Sequence, residues 1–381
     1  VALLKVGIVG ARRGTALVGG FRASEGVEVT ALCDIDAICL KERADHHGIP
    51  HRFTDFQRML ESDVDLIFVA TPMHLHVPQT LAALNAGKHV MSEVTAAVSL
   101  DQCKDLYEGV VRARESGLRY MMAENTCFSA NNLIIQKMVQ DGLFGDIYFA
   151  EGEYVHEIRS LHYSTDGSPT WRSEWQVGVN GCTYGTHSLG PVLEWFGTRV
   201  DSVVCLGSGR YTAPEHEMED TTTMLCKTTS GALVRIRCDM LSNRPHGGGY
   251  FSLQGTKGCY EAARGLGDKD KIWLKDLQTG YGDTGGPQSD QHQWVPLDHY
   301  REQFLPTLWK DASTEAIASG HGGTDFFVVR DILDAIREEK DPSIDVNRAL
   351  DFTLPGLMSQ ASIKDGGRPI RIPDFRAGEW Q

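Results

Sequence analysis

The chain has 381 residues, 37 Lys+Arg against 51 Asp+Glu, and a formal net charge of −14. That length exceeds what one hydrophobic core usually supports, so two domains are expected, and 41% hydrophobic with 23% charged residues excludes wholesale disorder. The acidic balance argues against a nucleic-acid-binding surface, and no run of about 18 apolar residues is present to span a membrane. Nine cysteines (33, 39, 103, 127, 182, 205, 226, 238 and 259) are scattered singly with no C-x-x-C pair. They read as buried free thiols in a reducing compartment, which predicts a cytoplasmic protein. The chain opens on Val1, directly at the first expected strand, as it would after removal of an initiator Met or of a longer leader.

In chain order, short apolar runs at Leu3–Val9, Val27–Cys33, Asp65–Ala70, His89–Met91 and Arg119–Ala123 alternate with helix-length patterns. The clearest of these are His74–Ala86 and Leu100–Glu115. Strand and helix repeated in this way predict a parallel sheet covered on both faces. Asn131–Gln140 is another expected helix. From about residue 145 the pattern changes to long alternating or β-branched stretches: Ile147–Val155, Val200–Leu206, Thr221–Lys227, Ala232–Met240, Tyr250–Gln254 and Lys271–Leu277. Short glycine-containing turns between them predict a large, mostly antiparallel open sheet. Helical patterns return at Val192–Phe196, Asp325–Glu339 and Val346–Ser359. Two glycine-rich segments, 244–249 and 279–291, lack apolar pattern and are expected to be exposed loops. The expected architecture is an α/β dinucleotide-binding domain over residues 1–125, then an α+β domain over 126–381. The C-terminal segment has room to pack back on the first domain.

Gly7-Ile8-Val9-Gly10-Ala11-Arg12-Arg13-Gly14 sits at a strand-to-helix junction, where glycines let backbone approach a pyrophosphate. The match to G-x-G-x-x-G is imperfect: Arg12 stands where the second glycine belongs, and the third is displaced to Gly14. The next strand ends at Asp34, 20 residues beyond Gly14, where an acid accepts hydrogen bonds from an adenosine ribose. A carboxylate there repels a 2′-phosphate and outweighs the two arginines as a signal, so NAD is the expected cofactor.

Ala70-Thr71-Pro72-Met73-His74-Leu75-His76, with Ala82-Ala83-Leu84-Asn85-Ala86-Gly87-Lys88-His89-Val90-Met91-Ser92-Glu93 after it, resembles the Gfo/Idh/MocA oxidoreductase family. The resemblance implies a Rossmann domain, a C-terminal open-sheet domain and NAD(P)-dependent chemistry on sugars or cyclitols. It adds Thr71, Pro72, His76 and Glu93 to Gly10, Arg12, Arg13, Gly14 and Asp34 as cofactor-binding candidates. Dehydrogenases of that family carry E-K-P, where this chain has Glu93-Val94-Thr95. They also carry D-x-x-x-H, where this chain has Thr183 and His187. An apolar Val cannot move a proton, so substitutes are needed.

One branch, the NAD-dependent glycoside hydrolase family 109, is similar in the features that depart. Here stand Tyr154-Val155-His156-Glu157-Ile158-Arg159, Trp171-Arg172 and Tyr184-Gly185-Thr186-His187-Ser188-Leu189-Gly190-Pro191. His321-Gly322-Gly323-Thr324-Asp325-Phe326 and a closing Ile372-Pro373-Asp374-Phe375 complete the resemblance. It implies hydride transfer from a ring carbinol (C3) to NAD, elimination across C2 and C1, water addition and return of the hydride. Such chemistry needs a base for the O3 proton, a base for C2–H and a cation near the enolate. His187 is the candidate O3 base, with Tyr184 or Tyr154 handling the C2 proton. Arg172, His321 and Asn180 are placed as substrate-binding residues.

Plainer roles compete: a His at a helix start often caps or packs, and a Tyr on an alternating strand is usually core. Trp171 and Arg172 also read as a surface stack, and Asp325 as an acid favourable to a helix dipole. His156 and Glu157 alternate on the expected strand and take no assigned role. His74/His76 and His46/His47/His51 lack the Cys/Asp partners of a metal site, so no metal is expected. Two other activities remain open: a net sugar dehydrogenase releasing a keto-sugar, and a non-catalytic nucleotide- or sugar-binding protein. The partner is a small sugar or glycoside. An open antiparallel sheet also predicts a homo-oligomer, dimer or tetramer.

Overall fold

A computed structural model describes residues 3–245, 248–275 and 294–380; segment 279–291 and residues 246–247 of the other expected loop lie outside the described residues. Six strands, β1 Leu4–Val9, β2 Val27–Cys33, β3 His51–Phe53, β4 Leu66–Val69, β5 His89–Ser92 and β6 Tyr120–Met122, form one sheet. Their order is β3-β2-β1-β4-β5-β6, every pairing is parallel, and the order reverses at β1/β4. All four residues of β4 are buried, which is why it reads as a continuous apolar run without alternation. Ser99 caps the helix Leu100–Glu115 by accepting from the Gln102 amide, and Asp36 caps Ala37–His47 through the Ile38 and Cys39 amides. That last helix, and β3, have no counterpart in the expected elements. The helix buries only Cys39, Leu40 and Ala44, too narrow a stripe to stand out in the sequence.

The second sheet has nine strands: β7 Ile147–Val155, β8 Val200–Gly207, β9 Thr222–Thr228, β10 Leu233–Asp239, β11 Gly248–Gly255, β12 Gly258–Glu261, β13 Lys271–Leu274, β14 Val295–Pro296 and β15 Ile370–Arg371. The order is β14-β13-β12-β11-β7-β10-β9-β8-β15, and among the described residues only the β7/β10 pairing is parallel. Alternation on β7 sends Gly152 toward the helix Thr186–Phe196, where a β-carbon would sit 2.5 Å from the Ser188 carbonyl oxygen. The other face of β7 carries Glu151 and Glu153, which pair with Arg235 of β10. Trp195 anchors the helix side of the core. It donates to the Asn132 carbonyl at 3.1 Å and meets Phe251 and Tyr260 edge-on.

Three expectations change. The helix expected from Val192 begins at Thr186, because Pro191 is accommodated inside it. β7 ends at Val155, so His156 and Glu157 lie beyond the strand; the His156 ring meets Tyr154, and Glu157 pairs with Arg159. The division of the chain also differs from a single boundary at 125/126. One compact unit holds residues up to Phe128, Ala312–Leu354 and Pro373 onward; the other holds Ser129–Asp311 and Pro355–Ile372. In the first unit, the helix Thr324–Arg337 buries Phe326, Phe327, Val328 and Val329. Gly20 of the helix Val18–Arg22 lets it come close, since a β-carbon there would lie 2.9 Å from the Asp325 carbonyl oxygen. Arg119 grips the chain after that helix, donating to the carbonyls of Glu339 and Lys340 at 2.6 and 2.7 Å. Buried Asp351 pairs with Arg348 at 3.1 Å and Arg376 at 2.7 Å, holding the final segment. Contacts between residues some two hundred positions apart carry no local sequence pattern, which is why the return of residues 312–354 had no place in the expected boundaries, although packing back of the C-terminal segment was allowed for.

Candidate functional site

In the first unit the chain leaves β1 at Gly10 with φ 96°, a left-handed conformation. A β-carbon at Gly10 would run into the carbonyl of Ala70, so only glycine fits there. The Gly10 amide donates to the Cys33 carbonyl at 2.9 Å, which places the loop beside the end of β2. A single helical turn, Ala11–Gly14, follows directly. Gly14 faces the Ile8 side chain, where a β-carbon would clash. It therefore does the close helix–strand packing of the third glycine in the nucleotide-binding pattern, despite its displaced spacing.

Asp34 accepts from the Ala11 amide at 2.8 Å through Oδ2 and from the Asp36 amide at 2.9 Å through Oδ1. Each carboxylate oxygen can accept two bonds, so acceptor capacity remains for a ribose diol. Both nearby arginines are engaged with acids. Arg12 pairs with Asp36 at 3.1 Å, and Arg13 with largely buried Glu93 at 2.6 Å. This donor and acceptor set fits NAD: a glycine cradle, an acid at the end of β2, and cations whose charge is already countered.

Thr71 donates to Gln79 at 2.6 Å, and Pro72 precedes a 3-10 turn at Met73–Leu75. His76 is not presented to a ligand. It is 1% exposed, with Nδ1 2.8 Å from the Thr95 carbonyl and Nε2 2.9 Å from the Thr71 carbonyl. Burial pushes its pKa down, against the opposing pull of the two carbonyls. As a neutral imidazole it packs between the Thr71 and Thr95 backbones and donates to one of the two carbonyls. The peptide between Val94 and Thr95 is cis, and Val94 is buried. His321 is half-exposed, and its Nδ1 faces both oxygens of Asp325 at 2.9 and 3.0 Å.

In the second unit Tyr154 of β7, Tyr184 and His187 converge. Ring centroids lie 4.9 Å apart for Tyr154 and His187, 5.5 Å for Tyr184 and His187, and 5.8 Å for the two tyrosines. His187 is the second residue of the helix Thr186–Phe196, and Tyr184 sits in the turn before it. The Ser359 hydroxyl anchors that turn by accepting from the Cys182 amide at 2.8 Å. Thr183, where dehydrogenases of the resembled family have Asp, is buried, and its hydroxyl has no hydrogen-bond partner among the described residues.

Arg172 lies in the short helix Trp171–Trp175, capped by Thr170. Its guanidinium stacks 4.5 Å from the centre of the Trp171 ring and donates to Gln176 at 2.7 Å. Asn180 is turned to local structure. Its oxygen accepts from the amides of Gly181 and Glu219 at 3.0 and 3.1 Å, and its nitrogen donates to Glu219 at 3.0 Å.

Two contacts were not expected from the sequence: the Asp325 carboxylate behind His321, and a buried pair formed by His162 and His216. His162 Nδ1 lies 3.1 Å from His216 Nε2, and the His162 carbonyl accepts from the Thr170 amide at 2.8 Å. The His–x3–Asp spacing is visible in the chain; the pairing of His162 with a residue 54 positions away is not. Among the described residues no cluster of three or more His, Cys, Asp or Glu side chains offers a metal site. No helix there is long and apolar enough to cross a membrane.

These features define an NAD-dependent enzyme of the oxidoreductase class, built on a Rossmann domain and an open-sheet domain. Residues 4–124 match the model of the oxidoreductase family with NAD-binding Rossmann fold, and residues 128–381 match the glycosyl hydrolase 109 C-terminal domain. The chain belongs to glycosyl hydrolase family 109. A family 109 protein of Solibacter usitatus (strain Ellin6076) is 30% identical over 99% of this chain and 89% of its own length. One of Saccharopolyspora erythraea is 30% identical over 99% and 84%. Among solved structures, levoglucosan dehydrogenase in complex with NADH aligns with a TM-score of 0.79 at 18% identity, covering 97% of this chain and 99% of that one. An oxidoreductase domain protein from Kribbella flavida gives 0.78 at 20% identity, covering 98% and 100%. The family and the site together make this a sugar-processing enzyme that uses NAD.

Two outcomes follow from this geometry. Gly10→Ala is expected to cost about 1–3 kcal/mol of stability and to weaken NAD binding by more than about tenfold, read by thermal unfolding and by cofactor titration. Burial, then His216 and Arg172, push the His162 pKa from its ordinary value near 6.5 down to about 4. The unfolded chain therefore takes up this proton below about pH 6.5, while the folded chain stays neutral there until about pH 4. The stability linked to His162 is complete above pH 6.5 and falls as pH drops through that window. Urea midpoints of His162→Gln should decline less steeply than wild type between pH 6.5 and 4.

Proposed function

We propose that the enzyme cleaves a glycosidic bond by transient oxidation of the sugar, and not by a pair of carboxylates. The observation that carries this is the convergence of Tyr154, Tyr184 and His187 within ring-centroid distances of 4.9–5.8 Å, in a chain whose sequence has Val94 and Thr183 where sugar dehydrogenases of the resembled family have Lys and Asp. NAD, when bound, would supply the hydride acceptor for the C3 carbinol and the hydride for the closing reduction. Gly10, Arg12, Arg13, Gly14, Asp34, Thr71, Pro72 and Glu93 hold it, and His76 keeps the Thr71 backbone in place. His187 takes the O3 proton. The C3 ketone acidifies C2–H, and Tyr154 or Tyr184 removes that proton. Arg172 steadies the negative charge on the enolate oxygen, its guanidinium already oriented by Trp171 and Gln176. The substrate class is a hexoside, N-acetylhexosaminides included.

Purified enzyme is expected to carry NAD and to release phenol from an aryl hexoside without net NADH. His187→Ala should bind NAD normally and lose about 10²–10⁴-fold in turnover. No phenol from any aryl hexoside rules out the glycosidase reading, and NADH building up in step with sugar identifies a net dehydrogenase instead.

The reading extends to self-association. Leu225, Leu206 and Leu233 share the face of the nine-stranded sheet that carries Arg235, and they are 40%, 58% and 38% exposed. Apolar side chains grouped on an open sheet face favour a second copy of the chain as cover. The eight buried and one half-buried free cysteines favour a reducing, cytoplasmic setting. Native mass spectrometry should show a dimer or tetramer, and Leu225→Arg should shift it toward monomer; a wild-type monomer at micromolar concentration overturns this.

A further inference from the structure

We infer that the loop between β8 and β9, residues 208–221, is a brace that sets the position of Arg172 for the enolate step, with His216 and Glu219 as its positioning residues. The inference rests on the oxidation–elimination reading, in which Arg172 meets the negative charge on the enolate oxygen. It adds what fixes that cation in place.

The helix that carries Arg172 cannot fix itself. Trp171–Trp175 is five residues long and buries none of them. A helix of that length is unstable alone in water, so its place in the protein is set by what ties its ends. At the front, the His162 carbonyl accepts from the Thr170 amide at 2.8 Å and from the Ser173 hydroxyl, and Thr170 caps the helix. At the back, the chain passes through Gln176 and Val177, both buried, toward Asn180. Gln176 is also the residue to which the Arg172 guanidinium donates.

Both ends are tied to the same loop. His216 Nε2 lies 3.1 Å from His162 Nδ1, ahead of the helix. The Met218 amide donates to the Val177 carbonyl at 3.0 Å, just after it. Further on, Asn180 Oδ1 accepts from the Glu219 amide at 3.1 Å, and its nitrogen donates to the Glu219 carboxylate at 3.0 Å. The first tie is sealed from solvent, since His162 and His216 are both buried. His162 Nε2 has no partner among the described residues. A hydrogen on Nε2 would be a buried orphan donor, so the imidazole hydrogen sits on Nδ1 and His216 Nε2 accepts it.

The loop is itself stiff. The Ser208 amide donates to the Thr221 carbonyl at 3.0 Å and closes its two ends. The Asp220 carboxylate accepts from the Tyr211 and Thr212 amides at 3.1 and 3.0 Å, and the Thr212 hydroxyl donates to the Leu241 carbonyl at 2.9 Å. Antiparallel neighbours such as β8 and β9 can be joined by a two-residue turn, so connecting them does not explain residues 208–221. Compact loops with joined ends frequently serve function, and a cation aimed at a developing enolate acts best when held there beforehand.

The test is a double-mutant cycle on NAD-loaded enzyme with an aryl hexoside, reading phenol release and exchange of substrate C2–H with deuterated solvent. His216→Ala should lower kcat and C2 exchange about ten- to a hundredfold, with KM changed less than about threefold. His216→Gln, whose amide oxygen takes the place of Nε2, should keep both within about threefold of wild type. Asn180→Asp has the same shape but sets a carboxylate against Glu219. It should repeat the loss from the other end of the segment, and it carries the cycle should His216→Ala not fold. In an Arg172→Ala background either change should cost less than about twofold, because the residue it positions is gone. Equal losses with and without Arg172, or His216→Ala and Asn180→Asp enzymes as fast as wild type, overturn the brace. Arg172→Ala with wild-type C2 exchange refutes the role of Arg172, wild type that releases no phenol refutes the glycosidase reading, and the brace falls with either.

Discussion

The close passage of the backbone at Gly10 over the Ala70 carbonyl is the constraint on which the cofactor-binding unit depends. It brings the ends of β1 and β4 together where the strand order reverses, the place such sheets use to bind a nucleotide. With Gly10 left-handed, the next turn starts at once, its first amide reaches Asp34, and Gly14 settles on Ile8. On the far side of the same crossing, buried His76 bridges the carbonyls of Thr71 and Thr95. A side chain at Gly10 would disturb each of these together.

The second unit solves a different problem, holding three polar rings near one another on an apolar scaffold. β7 contributes Tyr154, and the first turn of the helix packed against it contributes His187. The absence of a side chain at Gly152 allows that packing. Ser359 holds the turn carrying Tyr184. The site therefore relies on close packing of one strand and one helix, with hydrogen bonds confining the connecting turn. The proposed proton transfers would benefit from that rigidity, because a small displacement of a base costs much of its effect.

Much of this was legible in the chain. The alternation of apolar runs and helical patterns before residue 125, and the β-rich stretch after 145, map onto the two observed sheets. The placement of Gly10, Gly14 and Asp34 was readable because it follows from local backbone geometry. Other assignments changed on contact with the fold. His76 lies inside the protein, and Asn180 spends its amide on Gly181 and Glu219. Asp325 read as a helix-dipole acid until the His321 ring was found on it. Pro191 hid the true start of the helix that carries His187, because a proline within a helix looks locally like a stop.

The sequence by itself determined the class of both sheets, the cofactor and the family, since each is written in short-range pattern: burial period, glycine placement, and motifs with fixed spacing. Only the tertiary structure decided which polar groups meet. It placed Tyr154 against His187, His162 against His216, and Asn125 against Asp325, and it returned residues 312–354 to the first unit. The reason is physical. A local pattern records how a residue meets its neighbours in the chain. The partner of a buried polar group is chosen by packing over tens to hundreds of positions, and most such groups find one.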